Sequence, residues 1–337
     1  MTATPTTSTT SAMPAAGHPT VRQLHWLVRL HRPAVLVWGL FVLVTAAALV
    51  WLGGPLTDAA ATALKTESCF KDCSYDPDAP DRYRAVHSYT MYAVLAAPLL
   101  VAAWAGGSLT SRELESGTAR LAWTQGVSPA RWLTVRLALP ALLVATGTGL
   151  LAWLHRRAWT AGANRVSSGE LWYYFRDFYA NGVVPVALAL AGLAAGALAG
   201  LLLHRSLAAL TAAVVAVGAL WAAVHTTLPY LWPTITQITS LQEGAAVVGI
   251  STGKGVLTAD SDRRTTHCRT ILDGCDRLLG DLGAVHYFND YHPASHYWPL
   301  QLVASGILLV VTALCVLATF RLLRHHTGRV PGKAERS

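Results

Sequence analysis

Apolar residues in this chain come in long blocks rather than in alternation. Six stretches, at about 33–54, 89–110, 137–154, 182–203, 206–228 and 299–320, contain no Asp, Glu, Lys or Arg. The hydrocarbon core of a bilayer takes ~20 helical residues to cross, so each of the six is a candidate span. The third is short and reaches that length as 132–154 by recruiting Trp132 and Leu133. A charge at mid-membrane costs ~2.5–3.5 kcal/mol on insertion scales, which accounts for its exclusion from these blocks. Trp38, Trp51, Trp153, Trp221 and Trp298 fall toward block ends, where amphipathic rings meet the headgroups. In the fourth block Gly192, Gly196 and Gly200 are spaced as a small-xxx-small face that permits close helix packing. The pattern predicts an all-α integral membrane protein with a domain of six transmembrane helices over 33–320.

Between the blocks the character changes. Residues 1–20 are rich in Thr, Ser, Ala and Pro without periodicity, the composition of a disordered tail. Over 21–32, Arg22, His25, Arg29 and Arg32 share one helical face, and Val21, Leu24, Leu27 and Val28 share another. That separation predicts an amphipathic helix lying at the membrane interface. Loops at 55–88, 155–181 and 229–298 connect spans on one side, and a basic tail, 321–337, follows the last span.

Composition supports the membrane reading. Of 337 residues, 53% are hydrophobic and 13% charged, about half the charged share of a typical soluble domain. With the N-terminus inside, the inner segments hold 13 Lys and Arg against three acids, and the outer segments 13 against 15. This favours both termini in the cytoplasm. Four of the five cysteines, Cys69, Cys73, Cys268 and Cys275, then lie in outer loops, where an oxidising compartment makes disulfides of them; the fifth, Cys315, lies in the last span. Four cysteines allow three connectivities, and the short rings Cys69–Cys73 and Cys268–Cys275 are the expected local pairs. Spacings of C-x3-C and C-x6-C fit zinc poorly.

The charged piece between spans two and three, 106–136, stands out against its flanks. Thr110 and Glu113 have the spacing of a capping box, which predicts a short connector helix facing the cytoplasm. Its run Arg112-Glu113-Leu114-Glu115-Ser116-Gly117-Thr118, followed by Trp123-Thr124-Gln125, Val127-Ser128 and Arg131-Trp132, resembles the permease subunit of ABC-2-type transporters. Pro129 stands where a basic residue is usual, and Gly106-Gly107-Ser108-Leu109 replaces the usual G-A-P-L lead-in. Tyr291 to Trp298 is similar to the family's Y-x-P-x-x-x-x-W approach to the last span.

The resemblance implies a bacterial plasma-membrane exporter subunit working beside a separate ATP-binding-cassette ATPase. ATP and magnesium would sit on that partner, with no cofactor on this chain and no nucleic acid involved. Arg112, Glu113, Glu115, Gly117 and Thr118 would carry the coupling contact, and a second permease half, a homodimer partner or a sister permease, would complete the unit within membrane lipid.

Two other classes compete: an intramembrane enzyme, and an ion-coupled secondary transporter working without an ATPase. No nucleophile and acid–base set converges, so no catalytic residue is assigned and the chain is not read as an enzyme by itself. Gly249-Ile250-Ser251-Thr252-Gly253 has the letters of a nucleophile elbow but lacks room for the α/β sheet that motif needs. His286, Asp290, His292 and His296 could gather a metal, yet Pro293 interrupts the nearest pair, and no metal site is assigned. Within the apolar blocks only His225, near the end of the fifth, offers an ionisable group for ion coupling. No G-x-x-x-x-G-K-[ST] loop is present, as expected where ATP is hydrolysed elsewhere.

Overall fold

A computed structural model describes residues 32–66, 76–117, 128–166, 171–243, 249–266 and 275–328. The tail at 1–20, the interfacial helix expected at 21–32 up to its last residue, Thr118, Cys69, Cys73 and Cys268 lie outside them. Two compact units divide at Phe41. In the first, the helix α1 (Arg32–Trp51) begins with Pro33 in its opening turn, where a missing N–H costs nothing, and the rings of Trp38 and Phe41 stack at 5.6 Å.

The second unit holds the rest of α1 and everything after it. A π-helical turn, Leu52–Leu56, links α1 to α2 (Thr57–Thr66). Then come α3 (Ala79–Trp104), a second π-helical turn (Ala105–Leu109), α4 (Ser111–Glu115), α5 (Pro129–Gly162), α6 (Phe175–Ala180), α7 (Val184–Leu203) and α8 (Ser206–Thr227). The chain closes with strands, α9 (Asp276–Asp281) and α10 (Tyr297–Gly328). Six helices are long and apolar enough to cross a membrane: Arg32–Thr66, Ala79–Glu115, Pro129–Gly162, Val184–Leu203, Ser206–Tyr230 and Ala294–His325.

Most of these helices outrun the apolar blocks that announce them. Hydropathy registers the part that must sit in lipid, whereas a helix continues for as long as its residues favour one. Thr57–Thr66 is Ala-rich, and Lys65 in its last turn is favourable to the helix dipole. It therefore extends span 1 into the 55–88 loop. Pro55 is accommodated in the π turn, and Thr57 Oγ1 donates to Leu52 O at 2.5 Å. Span 3 likewise runs on to Gly162, so that 155–181 begins as helix.

Span 4 is the axis of the bundle and packs against spans 2, 3, 5 and 6. Its small residues allow this. A Cβ on Gly192 would lie 2.8 Å from Pro98 O, and one on Gly196 would lie 2.6 Å from both Ala105 Cβ and Gly106 N. One on Gly200 would meet Thr110 Oγ1 and Ser111 N. The glycine face is thus seated on span 2 of the same chain. Gly196→Val is expected to cost about 1–3 kcal/mol, because backbone rather than a flexible side chain must move. Thermal unfolding in detergent should show the loss, with Gly39→Val, where no atom lies within 4 Å, as the neutral control.

The 229–298 segment, a connecting loop by its sequence pattern, carries a small four-stranded sheet. Strands β1 (Ile235–Ser240), β2 (Ile250–Thr258), β3 (Arg263–Arg264) and β4 (Ala284–His292) form an antiparallel sheet ordered β1-β4-β2-β3. Val256, Leu279 and Tyr287 make its core, with Cys275 packed against them. Thr- and Ile-rich β1 and aromatic-rich β4 suit a pleated, half-buried surface. Ser251 lies on β2 and donates to Asn289 Oδ1 at 2.6 Å, so it holds no place on a strand–turn–helix elbow.

Candidate functional site

At one end of the bundle, span 2 passes through the π turn at Gly106-Gly107 into the connector helix α4. The glycines let the turn sit against span 5: a Cβ on Gly106 would lie 2.9 Å from Leu210 Cα. The capping box expected from Thr110 and Glu113 does not form. Thr110 makes no side-chain cap bond; its hydroxyl donates to Ala197 O of span 4 at 3.1 Å. Ser111 donates to Gly106 O at 2.8 Å. Both hydroxyls are buried, and neighbouring carbonyls take them.

Glu113 is drawn instead to a full positive charge. Its carboxylate is ion-paired with Arg136, near the start of span 3. The Arg136 guanidinium also donates to Leu109 O at 3.2 Å and lies 4.7 Å over the Trp132 ring. Leu109 ends the π turn, so Arg136 supplies a donor to a carbonyl that helical bonding has left behind. Arg136 is only 7% exposed, and a guanidinium so placed requires these partners.

Glu115 serves the fifth span. Its carboxylate accepts from Ser206 N at 3.2 Å and Ser206 Oγ at 2.6 Å, at the first residue of α8. Unbonded N–H groups and the dipole both favour a negative charge there. Glu115→Gln, which keeps an acceptor oxygen, should lower the melting temperature only slightly. Glu115→Ala should lower it further, and a reversed order of the two would refute the capping role.

Of the residues expected to couple to a partner, Glu113 turns toward span 3 and is half-buried, while Glu115, though bonded to span 5, is exposed together with Arg112, Ser116 and Gly117. Gly117 has φ +73°, the left-handed conformation that ends a helix and favours glycine. In the sequence Arg136 is one more charge at the end of the 106–136 stretch and Ser206 the first residue of the fifth block; no spacing rule links positions 113 and 136 or 115 and 206.

At the opposite end, α6 turns inward and Asp177, Phe178, Tyr179 and Ala180 are all buried. Tyr179 packs against Phe175 and Trp221 at 4.9 and 5.5 Å, and burial pushes its hydroxyl above the usual range. Gln301 of α10 is fully buried behind this segment. Its Nε2 donates to Phe178 O at 2.7 Å and Asn181 O at 3.0 Å, and its Oε1 accepts from Val183 N and Val184 N at 3.1 Å each. Asn181 Oδ1 faces His155 Nδ1 at 2.9 Å, and the rings of His155 and His87 are 5.4 Å apart. His87 and His155 stand just beyond the apolar blocks at 89–110 and 137–154, so block composition does not reveal them.

In the 229–298 loop, His292 and His296 have structural work. His292 Nε2 lies 2.9 Å from Pro229 O, so it donates there, and its Nδ1 lies 3.1 Å from His296 Nδ1. Asp290 is paired with Arg263 at 2.8 Å and bonded by Thr236. Among the described residues no group of three or more His, Cys, Asp or Glu is placed to hold a metal.

No curated protein and no solved structure matches the chain. A family model, ABC-2 membrane transporter related, matches residues 39–228, from span 1 through the connector to the end of span 5. With more than half of the sequence matched and six helices able to cross a membrane, the chain belongs to the ABC-2 membrane transporter related family, as a multi-pass membrane component of a transporter.

Proposed function

We propose that the chain is the permease subunit of an exporter driven by a separate ATP-binding-cassette ATPase. The observation that carries this reading is the fastening of the connector. Glu113 binds span 3 and Glu115 binds span 5, so a push on α4 moves both spans together. ATP and magnesium belong on the partner. The coupling contact is made by the outward residues Arg112, Ser116 and Gly117 with Thr118, while Glu113 and Glu115 transmit the movement inward. A second permease half, a homodimer partner or a sister permease, completes the path.

The connector faces the cytoplasm with both termini, in a bacterial plasma membrane, and the sheet faces outside. The outer cysteines form Cys69–Cys73 and Cys268–Cys275, each ring worth the low end of ~2–4 kcal/mol. Non-reducing peptide mapping tests the pairing, and finding Cys69 joined to Cys268 would replace it.

The decisive experiment tests whether a neighbouring gene encodes an ATP-binding-cassette ATPase that co-purifies with the chain, and measures hydrolysis and efflux in the same vesicles. Arg112→Ala should lower efflux per ATP hydrolysed while leaving the permease folded. If the ATPase neither co-purifies nor responds to the permease, an ion-coupled transporter becomes the better reading.

A further inference from the structure

We propose that His155, with His87 beside it, binds a single proton, and that occupying this site releases the segment Phe175–Asn181 that closes its end of the bundle. The inference is independent of an ATPase partner.

Bonding around Asn181 sets the tautomer of His155. Asn181 Nδ2 donates to Asp177 O at 2.9 Å, so the oxygen of that amide is the atom facing His155 Nδ1. Nδ1 therefore carries the hydrogen, and Nε2 of the neutral ring is a bare lone pair. That atom is buried without a hydrogen-bond partner among the described residues, on a residue with 0% exposure. A proton arriving at His155 has only this position to take. It would create an N–H with no acceptor and a cation shut away from water, a state a folded interior avoids.

The surroundings offer little compensation. From α3, His87 presents a second imidazole, itself stacked on Tyr83 at 6.0 Å. From α6 come Arg176, which acts on His87, and Asp177, the one acid in this shell. On α5 the next residue is Arg156, held 4.4 Å from the Tyr297 ring of α10. Gln301 of α10 is neutral, and neither α7 nor the π turn Leu52–Leu56 carries a titratable side chain. Two imidazolium rings 5.4 Å apart in such a place repel strongly, so the pair holds one proton and not two. The charged ring regains water by parting from Asn181, and that bond ties α6 to span 3. A protonated site and a seated α6 thus exclude one another.

The test is amide hydrogen exchange of residues 171–183 in the full-length protein, in nanodiscs of uncharged lipid, corrected for intrinsic exchange. Wild-type protection should fall below a single transition between about pH 8 and pH 5, by about tenfold per pH unit as one-proton linkage requires. His155→Gln keeps a donor toward Asn181 and should flatten the dependence. Asn181→Asp gives the charged ring a carboxylate partner and should move the transition to lower pH. Flat wild-type protection, or an Asn181→Asp transition at the wild-type pH, overturns the proposal. The second variant decides the matter even where His155→Gln does not fold.

Discussion

Arg136→Met is expected to unfasten the connector and unfold that end of the bundle at a cost of about 3 kcal/mol, the low end of what breaking a buried ion pair costs. Methionine fills much of the space over Trp132, so the loss is electrostatic rather than a cavity. It leaves Glu113, whose side chain is only 20% exposed, without its guanidinium, and Leu109 O without its donor. Arg136→Lys should fall in between, because an ammonium lacks the planar fork that serves carboxylate and carbonyl together. The double variant Glu113→Gln/Arg136→Met should recover most of the loss, since removing both charges also removes the stranded one. Thermal unfolding of wild type, Arg136→Met, Glu113→Gln and the double variant in one detergent measures the cycle, with Arg136→Lys alongside. A single Arg136→Met variant within about 0.5 kcal/mol of wild type would reduce the pair to a surface contact.

Gln301→Leu should cost as much or more. The two side chains are close in volume, so packing survives while four hydrogen bonds go. Each normally contributes about 1 kcal/mol, and a buried group left unsatisfied costs about 1–3 kcal/mol. With Val183 N, Val184 N, Phe178 O and Asn181 O all stranded, a total of about 4 kcal/mol is expected. Backbone rearrangement cannot easily relieve it. Gly182 has φ +94°, and a Cβ there would lie 2.7 Å from Gln301 Oε1, so the turn is already fitted around this amide. Gln301→Glu should not rescue, because a carboxylate accepts from the two N–H groups but repels the two carbonyls. Hydrogen exchange of residues 178–184 alongside melting separates local release from global unfolding. Wild-type protection in the leucine variant would show that water takes over these bonds.

The six spans were readable from the sequence because lipid imposes a rule on each segment separately: nothing charged, and about 20 residues long. The family was readable because Arg112 to Thr118 is a contiguous run. The small-residue stripe of span 4 was likewise visible, since Gly192, Gly196 and Gly200 lie on one helical face whatever that face meets. Helix length was not, because Thr57–Thr66 and the end of span 3 are helical without being apolar enough to register. The sheet escaped notice because β1 pairs with β4 across some fifty intervening residues, Ile235 opposite Tyr291, and no local period records a register that distant.

What only the tertiary structure decided is which partners the polar residues take. The Thr110–Glu113 spacing favours a capping box, but a local hydrogen bond yields to an arginine that must find a counter-charge when buried beside it. Arg136 reads in sequence as one more basic flank, Gln301 as a lone amide in an apolar run, and His87 and His155 as loop histidines. Burial changes each of them, because a polar group removed from water must be satisfied by whatever backbone or side chain the packing brings near. The sequence by itself determined what must leave water; the packing of span 4 against its neighbours determined which groups leave it together.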